Sequence, residues 1–357
     1  MLTDVNGYFS SGQILNDDGP GEDGLDIVAI VFTANSAAEV VDSSENPYYN
    51  LSNVFQNCPD GTLNVGENLN ATGPTQDGRG AWIIFSLRNG LTGGYYYLSS
   101  TVSYSTPLVT CRWPHGDYPL YWTNGTIDLP NWACWWPDII LHEYAHHVMK
   151  CCYGYLPNTI QEHYMTQKSN STTAWTEGWA NFFPLAAFNK PTFVLGVNAT
   201  HGISYNLETP TWYTSGWDDG DEVEGRVAGA LWDIFDSQND NAPWYYDSFS
   251  DGFTRIWNVM SGAPRNTFRE FWQAWNITYY ARQQTLLAIF QNTIDYRGPG
   301  DVNADCYVGM DDIYMIAYHF GRQIGDPDWD VRRDLNMDGY IGIDDIFIAS
   351  SNYGNQY

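Results

Sequence analysis

Two histidines four residues apart, His142 and His146, with Glu143 directly after the first, constrain this chain more than any other feature. Positions i and i+4 share one face of a helix, so both imidazoles can reach one metal ion if this stretch is helical. The flanks agree: Asp138-Ile139-Ile140-Leu141 enters the helix and Val148-Met149 continues it. Glu143 then sits where a carboxylate can take a proton from a water at the metal. His147 points about 100° away from His146 and is not expected among the ligands.

Two histidines leave a tetrahedral metal short of protein ligands, because a catalytic zinc site usually has three and an open position. Glu177, 31 residues past His146, lies in the run Ala174-Trp175-Thr176-Glu177-Gly178-Trp179-Ala180-Asn181-Phe182-Phe183. This apolar, aromatic run reads as a second helix. A carboxylate there completes a His142, His146, Glu177 set for Zn2+.

The pair of motifs resembles the gluzincin metallopeptidases, the thermolysin and fungalysin group. In that group a glutamate on a second helix is the third ligand, often within Glu-Gly-Trp-(Ser/Ala)-Asp. This chain matches through Ala180 and then has Asn181 where the group usually has Asp. The resemblance implies that residue 181 orients a ligand histidine, here without a charge. A closer likeness is to secreted archaeal and bacterial proteins that pair His-Glu-Tyr-Gly-His-His-Val-Met with Trp-x-Glu-Gly-Trp-Ala. They continue with a segment like 223–233 here, and the likeness covers roughly residues 130 to 290. It implies a zinc metalloendopeptidase acting on peptide or protein by Glu143-assisted attack of zinc-bound water. Thermolysins and fungalysins carry an oxyanion-stabilising histidine just before the segment that 223–233 resembles. Here that stretch is acidic, with Asp218, Asp219, Asp221 and Glu222. None of these donates to an oxyanion while ionised, so Arg226, His201, Tyr213 and His163 stay open as substitutes.

A second pattern lies near the other end. Asp301, Asn303, Asp305, Tyr307 and Asp312 occupy positions 1, 3, 5, 7 and 12 of a loop, and Asp334, Asn336, Asp338, Tyr340 and Asp345 repeat them 33 residues later. Ca2+ takes about six to eight oxygen ligands, and such a loop gathers them, with a backbone carbonyl at position 7. Each loop leads into an apolar stretch, 313–320 and 346–353, followed by Gly321 and Gly354, so the unit is a repeated loop and helix. Two bound Ca2+ ions are expected. The pair resembles a dockerin, with Gly325-Asp326-Pro327-Asp328-Trp329 between the repeats as in archaeal dockerin-like modules. That likeness implies a cohesin-like partner or self-association. Cys306 stands where the turn glycine is usual, and Met310-Asp311 and Ile343-Asp344 replace the Ser/Thr pair that bacterial dockerins use to grip cohesin.

Charge excludes some partners. With 42 acidic against 15 basic residues the formal net charge is −27, which repels nucleic acid and anionic membranes. No apolar run is long enough to span a membrane. Met1 to Asp4 does not open a signal peptide, so the chain reads as a mature or trimmed form. Six cysteines, an even number, are compatible with disulfides. Sequons for glycosylation occur at Asn50, Asn70, Asn124, Asn170, Asn198 and Asn276. Together with the calcium loops these features point to an extracellular, secreted or cell-surface protein. The 16 Trp and 26 Tyr could stack on sugars, but core packing is the commoner use of such residues.

The fold expected is multidomain α+β. Residues 25–34, 81–87 and 94–104 read as strands of an N-terminal transthyretin-like or immunoglobulin-like β-sandwich over 1–104. A mainly helical zincin-like catalytic domain follows over 105–295, and a paired EF-hand-like, dockerin-like module over 298–357. The competing expectation is an idle, glycosylated extracellular scaffold or filament subunit built on a protease fold.

Overall fold

The structure is a computed structural model that describes residues 25–27, 30–32, 34–51, 55–58, 78–160, 162–209, 211–238, 250–279 and 282–357. Asn70 lies outside them. The chain divides into two compact units: 1–96, 105–147 and 196–201 form one, and 97–104, 148–195 and 202–357 form the other.

The first unit is built on a mixed four-stranded sheet. Its strands are β3 (Ala38–Val41), β6 (Val109–Arg112), β7 (Leu120–Trp122) and β8 (Thr126–Asp128), in the order β3-β6-β8-β7. β3 and β6 run parallel, as do β6 and β8, while β7 closes the edge antiparallel to β8. Val40, Val109, Cys111 and Ile127 are fully buried on it. Two short antiparallel ladders also occur, β1 (Leu25–Ile27) with β5 (Phe55–Cys58) and β2 (Ile30–Phe32) with β4 (Tyr49–Leu51).

The strands expected at 81–87 and 94–104 are not formed. Residues 81–87 and 94–102 belong to one helix, α1 (Gly78–Val102). A parallel pair needs a crossover connection, and the chain between β3 and β6 supplies it with α1. Leu91, Gly94 and Leu98 are buried on this helix at a spacing of three and four, the helical period. Glycine at 94 lets α1 approach closely, because a Cβ there would stand 2.8 Å from Leu141 and Tyr144. Because β3 pairs with β6, the sheet hydrogen bonding of the described residues crosses residue 104, the boundary expected for the first domain.

α2 (Pro137–Tyr153) carries the paired histidines, and the division between the units falls inside it. Proline at its first position and Asp138 in its first turn suit a helix start, and Gly154, at φ 79°, suits its end.

The second unit is mainly helical, with α3 (Ser171–Phe188), α4 (Glu224–Phe235), α5 (Gly252–Gly262), α6 (Phe268–Tyr279) and α7 (Arg282–Gln291). A two-stranded sheet of β9 (Thr192–Gly196) and β10 (Gly202–Asn206) interrupts them. Asn170 caps α3, its side chain accepting from the backbone N–H groups of Thr172 and Thr173. The aromatic run of α3 is core: Trp175 packs on Phe268 and Phe271, and Trp179 on Phe182, Phe183 and Phe253.

The C-terminal repeats form α8 (Met310–Tyr318) and α9 (Ile343–Ser351), each preceded by its acidic loop. Their core of Val302, Ile316, Trp329, Val331, Ile341 and Ala349 is continuous with Phe290 of α7 and with Trp212. The Trp212 indole donates to the Phe290 carbonyl at 2.7 Å, and Arg297 stacks on the Phe290 ring while donating to the carbonyls of Val302 and Arg332. The repeats are therefore docked on the helical unit that precedes them.

Candidate metal centre

The face of α2 and the start of α3 supply the donors. His142, His146 and Glu177 place one ligand atom each so that all lie within 4.8 Å of one another. The two histidine Nε2 atoms are 3.2 Å apart and the rings are almost perpendicular, at 89°. Two imidazole nitrogens on one tetrahedral zinc, each at about 2.0–2.1 Å, stand about 3.3 Å apart, so the pair fits zinc without rearrangement. Glu143, His146 and Glu177 are buried, at 6, 6 and 4 % exposure, which lowers the local dielectric around any charge gathered there.

Neighbouring side chains hold this arrangement. His147 faces away, with Nε2 3.0 Å from the Pro107 carbonyl and Nδ1 3.2 Å from the Tyr121 hydroxyl. Tyr121 also stacks on His146, at 6.5 Å between ring centres. The Tyr144 hydroxyl meets Thr106 at 2.9 Å. Tyr121 carries no sequence signal, since it lies on the short strand β7 far from either motif.

Gly178 explains why the glutamate is followed by glycine. A Cβ at 178 would lie 2.6 Å from Val227 and 3.0 Å from the Glu224 carbonyl, so α3 and α4 touch at that residue. Close approach there brings Glu224, the first residue of α4, up to the side chains that follow Glu177. Asn181, one turn beyond Glu177, donates its amide to Glu224 Oε1 at 3.4 Å and contacts the Met165 sulfur at 3.7 Å. The other Glu224 oxygen holds His163 Nδ1 at 2.6 Å, and His163 Nε2 lies 3.9 Å from Glu177 Oε1.

Of the four oxyanion substitutes left open, His163 stands beside the candidate ligand Glu177, 3.9 Å from its Oε1. Arg226 is fully buried and engaged elsewhere, donating to the carbonyls of Asp218 and Thr211 and to Asp219, with Trp217 against its guanidinium. Burial pushes its pKa down to about 10, against the opposing pull of Asp219 and Asp218. Tyr213 rests on Trp329, and burial, then Asp334, raise its pKa to about 12. His201 is exposed. The acidic stretch before α4 is used structurally: Asp218 accepts from the Lys168 N–H, and Asp221 from the Tyr296 hydroxyl.

In the C-terminal loops, positions 1 and 12 organise the backbone identically in both copies. Asp301 accepts from the N–H groups of Asp305 and Cys306, and Asp334 from those of Asp338 and Gly339. Asp312 accepts from Val302, Asn303 and Gly309, and Asp345 from Leu335, Asn336 and Gly342. Asn303 and Asn336 donate to Asp305 and Asp338, which in turn accept from the N–H groups of Tyr307 and Tyr340. Cys306 and Gly339 share a left-handed backbone, at φ 69° and 86°, so the cysteine occupies a conformation that favours glycine.

Cys111, Cys134, Cys151, Cys152 and Cys306 are thiols, so the disulfide framework expected from the even count is not formed among the described residues. Burial pushes the Cys134 and Cys152 thiols up to about 11. Of the described sequon asparagines, Asn124 and Asn198 are exposed and Asn170 and Asn276 half-buried, while Asn50 lies in β4. Among the described residues no helix is long and apolar enough to cross a membrane.

No curated protein significantly matches the chain. The family described as Mycolysin C-terminal domain matches residues 98–293, a span that holds His142, Glu143, His146 and Glu177 and ends before the acidic loops. Since that match covers more than half of the sequence and includes both candidate metal-binding motifs, the chain belongs to the Mycolysin C-terminal domain family, a fungalysin-like family of zinc metallopeptidases.

Proposed function

We propose that the chain is a zinc-dependent endopeptidase in which His142, His146 and Glu177 hold the metal and Glu143 is the general base. The observation that carries this reading is the convergence of the three donor atoms within 4.8 Å. Zinc at these residues would supply Lewis acidity, lowering the pKa of a water and polarising a peptide carbonyl. Glu143 accepts the proton of the attacking water on a carboxylate oxygen and passes it to the leaving amine nitrogen. Its burial beside the paired histidines keeps bulk water from competing for that proton. Asn181 holds Glu224 in place, one turn along α3 from the ligand glutamate.

The same reading extends to the two acidic loops as sites for one Ca2+ each, within a dockerin-like module over 298–357. The buried carboxylates of Asp301, Asp312, Asp334 and Asp345, in two copies with one backbone pattern, support it. Tyr314 and Tyr318 on α8, with Ile343 and Phe347 on α9, are exposed apolar side chains and support a cohesin-like partner or self-association. An extracellular location agrees with family members being secreted and with the exposed sequons at Asn124 and Asn198.

Metal content and peptide hydrolysis measured on the whole chain test the zinc reading. One zinc per chain, lost in His146→Ala together with hydrolysis, is the expected result. Zinc retained in His146→Ala at wild-type affinity would sink the assignment. Zinc bound by a wild-type chain that cleaves nothing in a broad peptide library would favour the idle scaffold.

A further inference from the structure

We propose that His163, clamped by Glu224, is a positioning residue for Glu177, setting which carboxylate oxygen that residue can offer a metal. The inference rests on the zinc reading of His142, His146 and Glu177. Four side chains form a closed circuit between α3 and α4. Glu177 and Asn181 stand one turn apart on α3, Glu224 begins α4, and His163 comes from the loop before α3. Glu224 Oε2 binds His163 Nδ1 at 2.6 Å, a short charge-assisted contact, and Glu224 Oε1 takes the Asn181 amide at 3.4 Å. Both carboxylate oxygens of Glu224 are thereby engaged, and one imidazole nitrogen is held. The opposite ring nitrogen then faces Glu177 Oε1 at 3.9 Å, ion-pair range and beyond a hydrogen bond.

His163 does not belong to the ligand set itself, which among the described residues contains His142, His146 and Glu177. A carboxylate that gives one oxygen to a metal leaves its second oxygen to be held by something else. The His163 ring stands beside one oxygen of Glu177, so the geometry assigns Oε1 to the histidine and the remaining oxygen to the metal. Glu177 and Glu224 side chains are 5 and 6 % exposed, so water screens little of this interaction, while His163 is about a quarter exposed, at 26 %. Groups that orient a ligand in this way contribute to metal affinity without touching the ion.

Zinc affinity, measured by chelator competition on the full chain, tests this independently of peptide hydrolysis. His163→Phe, which keeps a ring of similar size and removes both nitrogens, should weaken zinc about 10- to 100-fold. His163→Gln, which restores a side-chain donor, should recover part of that loss. Glu224→Gln keeps size and removes the charge, and it carries the same direction of effect should His163→Phe fail to fold. Folded variants that bind zinc within twofold of wild type overturn the proposal. So does a fall in hydrolysis with zinc affinity unchanged, because His163 would then act on substrate and not through Glu177. The control is His146→Ala. If it binds zinc as tightly as wild type, or if the wild type binds none, the zinc reading itself fails and takes this inference with it.

Discussion

A carboxylate at position 181 would stand about where the Asn181 amide now lies, 3.4 Å from Glu224 Oε1. Two buried like charges at that separation repel strongly, whereas the amide donates a hydrogen bond. The departure from the Glu-Gly-Trp-Ala-Asp pattern thus follows from Glu224, which the chain places at the start of α4. Asn181→Asp would restore the motif and still weaken the protein, by about 1–3 kcal/mol in a denaturant melt. An unchanged or raised stability would show that Glu224 does not set the identity of residue 181. Glu143 invites the converse experiment. It adjoins His142 and lies outside the proposed ligand set, so Glu143→Gln should keep zinc while lowering peptide hydrolysis about 100-fold or more. Full activity in that variant would remove Glu143 from the chemistry. At this scale the sequence was most legible where helical spacing forces side chains together, as at His142 and His146. Glu177 was legible through the motif around it. His163 was one of four open candidates, because nothing in its loop has a period, and its partner Glu224 lies 61 residues away.

At the scale of elements, glycine misled the reading of 78–102 and clarified that of 171–188. β-Branched and aromatic residues bounded by glycine and asparagine in the first stretch resemble strands bounded by turns. In the helix the same glycines divide by face. Gly94 lies against Leu141 and Tyr144, while a side chain at 93 would meet no atom within 4 Å of its Cβ. This contrast predicts opposite signs for adjacent substitutions. Gly93→Ala removes the entropic cost of glycine in a helix and should stabilise by about 0.5–1 kcal/mol. Gly94→Ala gains the same propensity but forces a methyl to within 2.8 Å of Leu141 and Tyr144, so overpacking should make it destabilising by about 1–3 kcal/mol. Two stabilising changes, or two destabilising ones, in thermal melts would contradict the placement of α1. The parallel pairing of β3 with β6 was out of reach of local patterning, because the two strands are far apart in sequence and each alone reads as any short apolar run.

For the whole molecule, the two acidic loops connect composition to stability. A chain with a formal net charge of −27 still buries Asp301, Asp312, Asp334 and Asp345. Burial raises the Asp301 pKa to about 6, with Asp312 and Asp305 adding to the effect, and burial also raises those of Asp312 and Asp334. An acid whose folded pKa lies above its unfolded value favours the protonated fold, so its contribution is lost as pH rises through the folded pKa. In chelator, the melting temperature should therefore rise as pH is lowered from 7 to about 5, and Asp301→Asn should flatten part of that rise. With calcium the sign reverses, because protons compete for the same oxygens, and added Ca2+ should stabilise most above the Asp301 pKa. At the sixth, left-handed position of the loop one copy has Cys306 and the other Gly339. Glycine adopts that conformation without strain, so the second loop should bind calcium more tightly. Asp334→Ala should then cost more of the calcium-dependent stability than Asp301→Ala. Because the repeats share a core with Phe290 and Trp212, that loss should extend into the helical unit as one broadened or lowered transition. Melting unmoved by chelator at pH 7 would remove calcium from the account, while a reversed order of the two variants would remove only the argument from Cys306.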